Sequence, residues 1–164
     1  MRRRTFLKVG LIGGAVLAAA GATALWLKPA ARDAATSEEA RLVLGAVIPA
    51  LLAGALPADD AASARAAALA RTIAAIESLP EPTRRELGQL FALLASRPGR
   101  WLADIDDWNS AEVQQVTRFL QRWRTHRFEL FQAGYHALHD LVLGPWYADE
   151  STWAAIGYPG PPRL

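Results

Sequence analysis

Cysteine is missing from all 164 residues. The chain therefore forms no disulfide, ligates no iron–sulfur cluster through cysteine, and attaches no c-type haem covalently. Such a chain is also suited to folding in a reducing compartment. Lysine is nearly missing too, and its two examples, Lys8 and Lys28, both fall in the first 28 residues. Clusters of β-branched residues are few, whereas alanine, leucine, arginine and glutamate are frequent, which favours helix over strand. No glycine-rich loop joins a strand to a helix, because Gly10–Gly14 lies inside an apolar run. There is no Gly-x-Ser-x-Gly elbow, and no local Ser–His arrangement points to a hydrolase triad. The acidic group Asp104, Asp106 and Asp107 lacks the glycine and terminal glutamate of a calcium loop. It reads as a solvated loop with Arg97 and Arg100 as ion-pair partners.

What the chain does carry begins at its first residues. Arg3, Arg4, Thr5, Phe6, Leu7 and Lys8 match the twin-arginine export signal: two arginines, any residue, Phe, Leu, Lys. An apolar run of 19 residues follows, Val9 to Leu27. That length lies between a signal core and a spanning helix. Ala22-Thr23-Ala24 is a small-residue cleavage site of the usual kind. Leu25-Trp26-Leu27 extends the run beyond it, and Trp26 with Lys28 resembles an interfacial anchor. The segment 1–28 is thus either a cleaved signal or a retained anchor, with the body periplasmic in both cases. The twin-arginine route moves proteins that have already folded, so the translocase is one expected partner and a folded cargo is another.

Setting 1–28 aside reverses the charge balance. The whole chain is formally +2, but the remainder holds 13 basic against 16 acidic residues. A mildly acidic body does not suit nucleic acid. Pro29 to Ala35 reads as a linker and 36–164 as one domain of ordinary size.

The expected fold class is all-α: a small irregular helical bundle after the N-terminal helix, ending in an extended aromatic- and proline-rich tail. Thr36 and Glu39 form a capping box for a first helix. Its stripe is Leu42, Val43, Ala46, Val47, Ala50 and Leu51, with a break expected at Ile48-Pro49. Asp59-Asp60 opens a second, alanine-rich helix reaching Leu79. A third spans about Thr83–Ala95, with Leu87, Leu90, Phe91 and Leu94 on one face, and Pro98-Gly99 stops it. Arg100 to Asn109 reads as a loop. Ser110 caps a long aromatic-rich helix over Val113–Leu141, with a gap or bend at Thr125–Arg127 or Gly134. Gly144-Pro145 ends the helical region.

Three constellations are candidate sites. His136, His139 and Asp140, helped by His126, place two imidazoles on one helix face. They lack the Glu-x-x-His ligands of helical metal sites, so ordinary hydrogen-bonded histidines are the expectation and a periplasmic or membrane-anchored metal-binding protein is the alternative. Arg118, Arg122, Arg124 and Arg127 form a basic run, read either as a solvated face paired with Glu112, Glu129 and the aspartate loop or as a docking face. Trp146, Tyr147, Trp153 and Tyr158 crowd the tail, where aromatics either close the bundle or contact a partner.

From Arg122, Trp123 and Arg124 through Trp146, Tyr147, Trp153 and Gly157-Tyr158-Pro159-Gly160, the chain resembles the gluconate 2-dehydrogenase subunit 3 family. The twin-arginine leader and Ile48-Pro49 add to the match. Members are small subunits of membrane-associated, FAD-dependent GMC-type alcohol and sugar dehydrogenases. The resemblance implies a non-catalytic subunit with no cofactor or catalytic residue of its own. It implies a large flavoprotein partner holding FAD, often with a multihaem cytochrome c as a third subunit. The role implied is to stabilise that flavoprotein and supply its export signal, with the matching residues just named as the partner-binding set.

Overall fold

The structure is a computed structural model, and it describes residues 36–57, 59–153 and 157–160. The leader Arg3, Arg4, Phe6, Leu7 and Lys8, the apolar run behind it and the 29–35 linker lie outside the described residues. Those described belong to a compact unit, Asp33–Leu164. They form six α-helices and no strand: α1 (Glu38–Leu51), α2 (Ala61–Ser78), α3 (Glu81–Ala95), α4 (Arg97–Ala103), α5 (Val113–Arg124) and α6 (Glu129–Ala148), followed by a 3₁₀ turn, Glu150–Thr152.

Helix α1 lies at the centre, packed against α2, α3, α5 and α6. Ala40, Val43, Leu44, Val47 and Ile48 are all buried, a spacing of three and four that keeps one face inside. Ser37, one residue beyond Thr36, is the N-cap, and its hydroxyl accepts from the Ala40 amide at 3.3 Å. Glu39 still belongs to the cap. Its own backbone amide, and secondly the Ser37 hydroxyl, hold its carboxyl below the usual range. The helix does not break at Ile48-Pro49 but continues to Leu51. Pro49 removes a single bond to the Gly45 carbonyl, and Gly45 is exposed, so water is at hand for that oxygen.

Three further boundaries differ from expectation for physical reasons. Pro98 does not leave a loop behind it but opens α4, where the missing amide is one that no helix uses. Ser96 caps that helix, accepting from Gly99 N at 3.2 Å. Ser110 caps nothing: the Asp107 carboxylate accepts from the Asn109 amide at 3.1 Å, and the turn carries the chain on to Glu112 before α5 begins. Gly144-Pro145 does not end α6, which runs to Ala148 because the following Trp146 is driven into the core at 3% exposure.

The expected long helix is divided into α5 and α6, and the break falls over 125–128. Helix α5 presents Val116, Phe119, Leu120 and Trp123 to the core, at i, i+3, i+4 and i+7. Trp108, Phe119, Trp123 and Phe131 then stack edge to face in sequence, with centroids 5.8, 4.7 and 5.4 Å apart. The buried indole of Trp108 donates to the Leu94 carbonyl at 2.9 Å, joining this column to α3.

Gly134 is a contact, not a hinge. A Cβ there would lie 2.6 Å from Trp123 Cζ3, whereas one at Gly144 would meet nothing within 4 Å. The two positions should respond oppositely to alanine in urea unfolding. Gly144→Ala raises stability by about 0.5–1 kcal/mol. Gly134→Ala lowers it, because overpacking of about 1–3 kcal/mol outweighs the propensity gain.

Candidate functional site

The α5 arginines are not equivalent. Arg122 Nη2 donates to the Ala103 carbonyl at 2.6 Å, and Nη1 reaches Asp104 Oδ2 at 3.3 Å. Its guanidinium thus closes the C-terminus of α4, where a cation meets unsatisfied carbonyls. Asp104 sits there in the left-handed conformation, φ 60°, with its carbonyl held by Gln115 Nε2 at 2.6 Å. Arg100 finds the Asp106 backbone carbonyl at 2.7 Å, not a carboxylate. Arg118, Arg124 and Arg127 make no ion pair among the described residues.

Two of the aromatics named for partner contact are core side chains. Trp123 is 5% exposed between Phe119, Phe131 and Gly134, and Trp146 is buried at the end of α6. Trp123 completes the α5 stripe at i+7 from Val116, and Trp146 follows Val142 at i+4 on the buried face of α6. Of the aromatics in that set, Tyr147, Trp153 and Tyr158 lie outside the core, with the described residues 149–153 and 157–160 around them.

Those residues form a built turn. Thr152 Oγ1 donates to the Trp146 and Asp149 carbonyls at 2.9 and 2.8 Å. The Trp153 indole donates to the Tyr147 carbonyl at 2.8 Å. Tyr158 N returns to the Trp153 carbonyl at 3.0 Å, and the two rings meet edge to face at 5.1 Å. Gly157 and Gly160 take φ of 70° and 94°, values that side chains disfavour, and Gly160 lies against the Trp153 ring. Tyr147, Tyr158 and Pro159 remain exposed.

The turn is moored to α2 by residues that sequence reading missed. Arg71 Nη2 pairs with Asp149 Oδ2 at 2.7 Å and lies 3.4 Å from Ser151 Oγ, with its guanidinium 5.9 Å from the Trp146 ring centroid. Ser151 donates to Asp149 Oδ1 through both its hydroxyl and its amide. These bonds, the hydroxyl first, and then Arg71, hold the Asp149 carboxyl below its usual range. Asp149-x-Ser151 is a legible side-chain turn, but nothing local links it to Arg71.

The histidines are engaged by their own neighbours. His126 Nδ1 accepts from the Phe128 amide at 3.1 Å, and its ring lies 4.3 Å from that of Phe131. His136 and His139 flank the buried Tyr135 ring at 5.3 and 5.5 Å. His139 Nδ1 is 2.9 Å from Asp140 Oδ1. Among the described residues no three of His, Cys, Asp and Glu stand together as a metal-holding group. No helix among them is long and apolar enough to cross a membrane.

Compared with family models, curated proteins and solved structures, the chain matches none.

Because its carboxyl is more acidic when folded, Asp149 contributes stability above the ordinary aspartate range and loses it as pH falls through the folded value. In an acid titration followed by NMR, the Ser151 amide should shift with a midpoint below that range. Asp149→Asn should remove both this titration and that part of the acid destabilisation. A Ser151 midpoint at or above the ordinary range would contradict the mooring.

Proposed function

We propose that the chain is a non-catalytic small subunit that grips a folded flavin-dependent dehydrogenase and supplies its twin-arginine export signal. One observation carries the reading: Trp153 and Tyr158, joined by a backbone bond and an edge-to-face ring contact, lie outside the core on a chain that opens with Arg3-Arg4-Thr5-Phe6-Leu7-Lys8. An ordered turn with exposed Tyr147, Tyr158 and Pro159 loses little entropy on docking, and tyrosine is favoured at binding hot spots. The resemblance to the gluconate 2-dehydrogenase subunit 3 family supplies the kind of cargo: a large FAD-holding subunit, with a haem c subunit as a third component. The complex then works in the periplasm, with its substrate pocket in the partner chain.

The test is purification of the tagged chain with its cargo. A flavoprotein lacking its own signal should co-purify in fixed ratio. Replacing Arg3-Arg4 by Lys-Lys should leave its dehydrogenase activity in the cytoplasm. Tyr158→Ala should weaken the complex by about 2 kcal/mol, the scale of a hot-spot tyrosine, without unfolding the bundle. A flavoprotein that reaches the periplasm despite the Lys-Lys change would overturn the escort role.

A further inference from the structure

Charge is unevenly spread over the body. The stretch 113–128 holds Arg118, Arg122, Arg124 and Arg127 and no acidic residue, leaving 9 basic against 16 acidic in the rest of 29–164. Arg122 is committed to α4, but the other three are free of ion pairs among the described residues. At the α5–α6 corner, where α5 ends at Arg124, two large apolar side chains stand in water: Phe128, 53% exposed, and Leu130, 50% exposed. The Arg127 guanidinium lies over the Phe128 ring at 4.6 Å, and the His126 ring lies 5.3 Å from it, yet the side chain stays half exposed. Glu129 is the single carboxylate of the corner, and it starts α6, where the helix dipole favours it.

We infer that the α5–α6 corner docks on an anionic phospholipid surface, with Phe128 and Leu130 entering the headgroup boundary and Arg124 and Arg127 meeting phosphates. Arginines beside exposed apolar side chains are the chemistry of interfacial binding. Arginine extends its head to phosphate while its stem stays in apolar surroundings, so Arg127 can leave the ring as the ring enters lipid. An acidic protein would answer the charges but not the apolar pair, and nucleic acid would leave Leu130 unmatched. The apolar run Val9–Leu27 brings the chain to a membrane whether it is cleaved or retained. A leaflet is thus an acidic surface that the chain meets on its route. This assignment stands apart from the flavoprotein reading and uses a different face from the C-terminal turn.

The absence of cysteine makes a site-specific test clean. The full chain carrying Leu130→Cys, labelled with an environment-sensitive fluorophore, is reconstituted in phosphatidylcholine vesicles with and without phosphatidylglycerol. The same label at Ala62→Cys, exposed on α2, controls for the leader's own insertion. The expected result is a blue shift at position 130, with quenching by lipids spin-labelled near the headgroup, only when phosphatidylglycerol is present. Position 62 stays unchanged. Arg124→Gln with Arg127→Gln should lower the docked-to-free ratio about 25-fold, since each basic residue at an anionic surface contributes a factor of about five. Arg124→Lys with Arg127→Lys, which keeps the charge, should restore most of it. Circular dichroism confirms that each variant is folded. A probe at 130 that stays in water, responds equally without phosphatidylglycerol, or changes only when a protein partner is added overturns the inference.

Discussion

The structure depends on the burial of α1. Four of the other five helices rest on it, and its Val43, Leu44, Val47 and Ile48 are sealed from water. Each such side chain contributes about 1.5–3 kcal/mol when fully buried. That sum tolerates a proline at position 49, because the lost bond falls in the last turn and on the wet side. The helix is short, so few residues hold the bundle's centre. Its only charged residues, Glu38, Glu39 and Arg41, stand in the first turn, and the polar half of the domain is supplied by the surrounding helices.

The described tryptophans divide into two populations. Trp108, Trp123 and Trp146 are core members, and the indole N–H of Trp108 is satisfied by a backbone carbonyl. Trp101, 83% exposed on α4, and Trp153 in the tail lie outside the core. The arginines divide in the same way. Arg122 and Arg71 are structural, closing a helix end and mooring the tail, while Arg118, Arg124 and Arg127 stay free of ion pairs among the described residues. Composition marks both residue types as promising for contact with partners. The fold then commits some of each internally and leaves a smaller, more sharply located surface.

Much of the fold was legible because helical periodicity is a local signal. The buried face Leu87, Phe91 and Leu94 of α3 follows from spacing and the alanine-rich α2 from composition, and of the two places expected for an interruption, Thr125–Arg127 holds it and Gly134 does not. Errors gathered where one residue type has two meanings. A proline ends a helix or opens one, and Pro98 opens one. A serine before a helix caps it unless a neighbouring side-chain turn intervenes, as Asp107 does before Ser110. Trp123 lies in a helix whose spacing already marks it as core, and of the two readings open for Trp146, closing the bundle is the one its burial fits. The Arg71–Asp149 pair was out of reach, since its partners are far apart in sequence and only the packing of α2 on α6 brings them together.

That packing orders events in time. Helix α6, the last α-helix among the described residues, covers α1 and α2, and the tail is fastened to α2 at Arg71. A ribosome emitting this protein would release the central helix early and the element that closes over it last. Pairings so distant along the chain are slow to form. The body therefore has no finished core until α6 and Asp149 have been made, and whatever recognises its folded state cannot act before then.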